Sequence, residues 1–128
     1  MIDTATTPRI DTPEGLAWHL DALTERVPRL LPVRERAGLV SPRINPRGFA
    51  GMAKVICGQQ LSVASAAAIW SRFAALPGAL EPEGYLRLSE ETVRGAGFSR
   101  GKFLTVRALA EAVTEGRLDF ALLDGLPA

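Results

Sequence analysis

Phe49-Ala-Gly-Met-Ala-Lys-Val-Ile-Cys-Gly-Gln-Gln-Leu-Ser-Val-Ala-Ser-Ala-Ala-Ala-Ile-Trp70 is the stretch whose reading decides the fold of this 128-residue chain. Phe49, Met52, Ala53, Ile56 and Cys57 recur at helical spacing and predict a helix with one apolar face. Gly58 is placed to end it. Ser62 is placed to cap a second helix, rich in alanine over 64–76 and carrying Ile69, Trp70 and Phe73. A Gly-Gln-Gln-Leu-Ser turn therefore joins two helices, and Pro77-Gly78 stops the second.

The same punctuation continues outward. Upstream, Thr12-Pro13 combines a capping hydroxyl with proline at a first helical position, and Leu16, Leu20, Leu23 and Val27 follow at helical spacing. Pro28 and Pro32 leave room for only a short second helix over 29–37, and Pro42 and Pro46 make 38–47 an irregular connection. Downstream lies a short segment around Tyr85. Ser89 then caps a brief helix with Glu90 and Glu91 in its first turn, and Gly95 and Gly97 close it. Ser99 caps a long helix with Phe103, Val106, Leu109, Ala110 and Val113 at core spacing, Gly116 ends it, and Asp119 opens a last short helix. No strand alternation persists, so the expected fold class is all-α, a helical bundle without a β-sheet.

Composition bounds the function. The chain is 47% hydrophobic and 23% charged, ordinary for a globular protein. A single cysteine, Cys57, excludes an intramolecular disulfide and any multi-cysteine metal or iron–sulfur site, and fits a reducing compartment. It reads as a small buried hydrophobe. No stretch approaches the roughly 20 apolar residues of a membrane span. The expectation is a cytoplasmic protein with no cofactor and no membrane partner. The net charge of +1 is modest, but residues 26–54 hold seven cations against Glu35 alone, a net of +6, so one face is expected to be basic.

Two blocks together carry a family resemblance. One is the helix–Gly-Gln-Gln-Leu-Ser–helix stretch. The other is Gly95-Ala-Gly-Phe-Ser-Arg-Gly-Lys102 with Leu109-Ala110 and Gly116-Arg-Leu-Asp119 downstream. The chain over 45–127 resembles the N-terminal part of the helix-hairpin-helix DNA glycosylases of the 3-methyladenine glycosylase II type. That resemblance implies a monofunctional N-glycosylase of base-excision repair, hydrolysing the N-glycosidic bond of alkylated purines. Its partner is double-stranded DNA with a damaged base, extruded from the stack because the bond is shielded there.

Carried onto this chain, the resemblance places Gln59 and Gln60 on the turn from which relatives push a side chain into the minor groove. Gln60, or else Leu61, is the wedge candidate that replaces lost stacking. The alternative is that the two glutamines satisfy backbone groups in a buried turn. Ser62 reads first as a helix cap and second as a DNA contact. Arg100 and Lys102, beside the Ser99 cap, could meet phosphate, or could be solvated charges. Trp18 and Trp70 on apolar helix faces read as core, and His19, without metal-ligand companions, as a surface or boundary residue.

The resemblance also implies a hairpin with a Gly-hydrophobic-Gly turn, and a catalytic aspartate beyond it. Neither has a counterpart here. Asp3, Asp11, Asp21, Asp119 and Asp124 stand in no such context, so no catalytic residue is assigned and the 128 residues alone are expected to be inactive. The domain reading is an extended or disordered 1–11 followed by a helical glycosylase-like domain over 12–128, incomplete at its C-terminal end. Self-association is expected to cover apolar faces bearing Trp70, Phe103 or Leu109. Two other readings are a non-catalytic DNA-binding module using residues 26–54 and a helical protein-interaction domain.

Overall fold

The computed structural model describes residues 7–127, every regular element among them is helical, and none of these helices is long and apolar enough to cross a membrane. The reading of 1–11 as extended or disordered falls mostly on residues outside that range, as does Asp3. Residues 7–11 precede the first helix without joining it. Within the stretch read as one domain, the described residues gather into two compact units that divide between Ile44 and Asn45.

The first unit holds α1 (Pro13–Arg26), a 3-10 turn (Pro28–Leu30) and α2 (Leu31–Ala37). Thr12 Oγ1 accepts from the Gly15 amide at 3.0 Å, the expected cap. Pro13, Pro28 and Pro32 all sit in first turns, where a missing N–H costs nothing. Arg34 pairs with Asp21, joining α2 to α1. Gly15 is the one buried residue among those described in this unit. Trp18 therefore departs from its expected core position. It is 45% exposed and meets the His19 ring edge-on at 5.0 Å, because so small a unit has no interior to receive an indole. His19 is half-buried, and its Nε2 donates to the Pro8 carbonyl at 2.7 Å.

The second unit contains α3 (Gly48–Gly58), α4 (Val63–Ala74), α5 (Pro82–Leu86), α6 (Glu90–Gly95), α7 (Arg100–Thr114) and α8 (Phe120–Asp124). α7 is its axis, packed against α3, α5 and α6, with α4 and α8 lying on α3. Phe49, Ala53, Ile56 and Cys57 of α3 meet Phe73, Tyr85, Val93, Phe98, Phe103, Val106 and Ala110 in one core. Phe73 stacks on Phe98 with centroids 4.6 Å apart. Gly116, at φ 71°, lets the Arg117 amide reach back to the Ala112 carbonyl at 2.9 Å and its own amide to Val113 at 3.1 Å, closing α7 as a Schellman motif.

Phe103 is buried at 3% exposure, and Trp70 and Leu109 are partly buried against the core. One expectation changes. Met52, assigned to the apolar face of α3, is 42% exposed, since the face that meets α7 and α4 is set by Phe49, Ala53, Ile56 and Cys57.

Tyr85 carries a testable consequence. Its ring is buried and its hydroxyl donates to the Phe103 carbonyl at 2.8 Å. Burial pushes the phenol far above its ordinary value of 10.0, and Arg107 only partly offsets this. The unfolded chain releases that proton near pH 10 while the folded chain keeps it, so stability falls as pH rises past that point. Thermal unfolding is expected to show a steeper loss of Tm above about pH 10 for the wild type than for Tyr85→Phe. Parallel curves for the two would show that Tyr85 does not drive the alkaline transition.

Candidate nucleic-acid interface

The turn between α3 and α4 takes its shape from four residues. Gln59 has φ −60° and ψ 134°, Gln60 has φ 61°, and the Leu61 amide donates to the Gly58 carbonyl at 3.3 Å. This is a type II turn, whose third residue needs positive φ and is ordinarily glycine or asparagine. Gln60 is the one non-glycine residue in that region among those described. Left-handed backbone costs an L-residue about 1–2 kcal/mol, because Cβ crowds the carbonyl oxygen. α3 ends at Gly58, as expected, and the left-handed position falls two residues later.

The turn is held from outside. Lys102, from the first turn of α7, donates through Nζ to the carbonyls of Gln59 at 2.7 Å and Cys57 at 2.9 Å. These carbonyls lie at the C-terminal end of α3, where helical carbonyls lack partners and the dipole favours a cation. Two of the three ammonium protons are thus engaged within the protein. Burial raises the Cys57 thiol above its ordinary value and the Lys102 cation only partly offsets this, so this free, buried cysteine stays a protonated thiol.

The predicted DNA-facing residues separate into two groups. Gln59, Gln60 and Leu61 are all exposed, and neither glutamine side chain makes a hydrogen bond among the described residues. They do not satisfy buried backbone groups, so that alternative for them falls away. Leu61 is 38% exposed at the same tip. Ser62 and Lys102 are engaged in bonds within the protein. Ser62 Oγ accepts from the Ser65 amide at 3.2 Å as the cap of α4 and donates to the Ser65 hydroxyl at 3.0 Å. Arg100 extends from the start of α7 and lies 3.4 Å from Glu90, which it shares with Arg94.

The sequence reading missed the Lys102 clamp, because residues 43 and 45 positions apart in the chain give no periodic signal. It also missed Arg72 of α4, whose Nε donates to the Ala96 carbonyl at 3.0 Å and fixes α4 against the connection before α7.

The described aspartates are engaged elsewhere. Asp11 pairs with Arg9 at 2.7 Å, Asp21 with Arg34, and Asp124 with Arg47 at 3.2 Å. Asp119 caps α8, accepting from the Ala121 and Leu122 amides at 2.9 and 3.2 Å. Among the described residues no group of histidine, cysteine and carboxylate side chains could hold a metal ion.

Helices packed around a long axial helix, with an exposed, strained and clamped turn between two of them, define an all-α scaffold that presents one rigid tip. A family model described as HhH-GPD superfamily base excision DNA repair protein matches residues 53–126, and the chain belongs to that family. It is similar to the crystal structure of DNA-3-methyladenine glycosidase from Bacillus halodurans. The two are 35% identical with a TM-score of 0.64, over 84% of this chain and 51% of that one. The chain thus spans about half the length of that solved protein. No curated protein sequence is a significant match.

Proposed function

We propose that this chain acts on duplex DNA carrying an alkylated purine, as the DNA-handling part of a base-excision glycosylase, with the 58–61 turn entering the gap left by an extruded base. The observation that carries this is Gln60. A non-glycine residue is held at φ 61° on a clamped turn, and its side chain is exposed without an intrachain partner. Strain of this kind persists where surrounding structure enforces it, and it clusters at functional sites. The family membership and the similarity to a 3-methyladenine glycosidase support the substrate class.

The chemistry of the whole reaction is that of glycosidic hydrolysis. Alkylation puts positive charge on the purine, which then leaves readily as the bond to the sugar breaks. A carboxylate stabilises the developing oxocarbenium character, and water takes the place of the base. Each described aspartate is already engaged in a cap or an ion pair. The role proposed for these residues is therefore recognition and extrusion.

Fluorescence anisotropy with two duplexes tests this, one intact and one containing an abasic-site analogue. The wild type is expected to favour the gapped duplex, and Gln60→Ala to reduce that preference by about tenfold, the equivalent of about 1.4 kcal/mol. Leu61→Ala is the companion variant that tells which of the two side chains fills the gap. Affinity for both duplexes is expected to fall steeply with salt. Equal affinity for gapped and intact duplexes in the wild type would refute the proposal. Base release from alkylated DNA by these 128 residues alone would show that one of the described carboxylates does chemistry.

A further inference from the structure

We propose that Lys102 is a positioning residue, which acts on DNA through the 58–61 turn and not by touching phosphate. The inference rests on the reading of that turn as the DNA-entering tip. Lysine at the start of a helix in a nucleic-acid protein suggests a phosphate contact. Here, however, Nζ lies within 2.7 and 2.9 Å of two carbonyls contributed by another element. One carbonyl belongs to Cys57 in the last turn of α3, and the other to Gln59, the residue before the strained one. The ammonium thus ties the end of a rigid helix to the middle of the turn, and fixes the Gln59 peptide against which Gln60 must take positive φ.

A compact cation suits this place. An ammonium offers three donors in a tetrahedral arrangement that can diverge onto two carbonyls, whereas a guanidinium offers a planar fork matched to carboxylate or phosphate. The backbone around the lysine is itself fixed, since Ser99 Oγ accepts from the Lys102 amide at 3.2 Å. α7 is anchored through Phe103 and Val106 in the core, so the clamp stands on a helix that the core holds in place. Preorganisation of this kind matters for insertion into DNA, because a turn that is already rigid loses less freedom on binding.

The distinction from a phosphate contact is measurable with Lys102→Met and Lys102→Arg. If Lys102 positions the turn, Lys102→Met reduces the preference for the abasic duplex by about tenfold, while affinity for the intact duplex and the dependence of log K on log salt stay as in the wild type. If it contacts phosphate, both duplexes lose affinity alike and the salt slope falls by about 0.9. Lys102→Arg keeps the charge, so a phosphate contact would survive it. The clamp predicts that it loses part of the gap preference.

Amide hydrogen exchange reads the clamp without DNA. Protection of the Gln59 and Leu61 amides is expected to drop by about tenfold in Lys102→Met, with Val106 and Ala110 in α7 unchanged. Unchanged protection at Gln59 and Leu61 would overturn the clamp, and lost protection with intact gap preference would overturn its role in DNA recognition. A wild type with no gap preference but a working clamp would instead refute the proposed function while leaving the structural assignment in place.

Discussion

Phe73→Ala is expected to lower the unfolding free energy by about 3–5 kcal/mol, the range for deleting a fully buried phenyl ring. Phe73 is 0% exposed and stands where three elements meet. Its ring stacks on Phe98 at 4.6 Å, lies 6.0 Å from Tyr85, and sits 5.4 Å from Trp70 one turn earlier on α4. Collapse into the void is hindered. Tyr85 is tethered by its hydroxyl to the Phe103 carbonyl, and Arg72 ties α4 to Ala96. A residual cavity therefore adds its own cost to the lost transfer free energy. Total stabilities of only about 5–15 kcal/mol make this a large fraction. Urea denaturation should show the midpoint fall with little change in slope. Val63→Ala, at a residue 83% exposed on the same helix, should stay within about 0.5 kcal/mol of wild type. A Phe73→Ala loss near that of Val63→Ala would mean that α4 is not held through this ring.

What was legible in the sequence follows the range of the interactions. Thr12, Ser62, Ser89, Ser99 and Asp119 stand at cap positions in the sequence, and each side chain accepts from an amide two or three residues on. A cap is decided by a handful of adjacent residues, so its signal is local. The same holds for Gly116, where α7 must end in left-handed backbone. Long-range matters were not legible in this way. Trp18 lies on an apolar stripe, yet its unit is too small to bury it. Gln60 takes a conformation that its residue type disfavours, and the reason lies in a lysine on α7. The candidate tip is marked by its likeness to a family, while the device that shapes it joins residues far apart in the chain.

Gly97→Ala is expected to destabilise the second unit by about 2–4 kcal/mol, combining backbone strain with overpacking. Gly95→Ala is expected to be neutral or slightly stabilising. In sequence the two glycines of Gly95-Ala-Gly97 look equivalent, and the structure separates them. Gly97 has φ 121°, a region that L side chains rarely adopt, and a Cβ there would lie 2.8 Å from Cγ1 of Ile69 on α4. Gly95 has ordinary helical backbone with nothing within 4 Å of the added carbon, so alanine gains helix propensity and meets no neighbour. The strain at Gly97 bears on the site. This glycine lets the chain pass close under α4 and then turn into Phe98, the Ser99 cap and the α7 turn that carries Lys102. A methyl group that pushes α4 away from this connection moves the helix that starts at the tip relative to the lysine that clamps it. Thermal unfolding is thus expected to show a lower Tm for Gly97→Ala. Binding assays well below that Tm should show weaker preference for a gapped duplex, with unchanged affinity for an intact one. If Gly97→Ala binds the gapped duplex as the wild type does, the close passage beneath α4 serves stability alone.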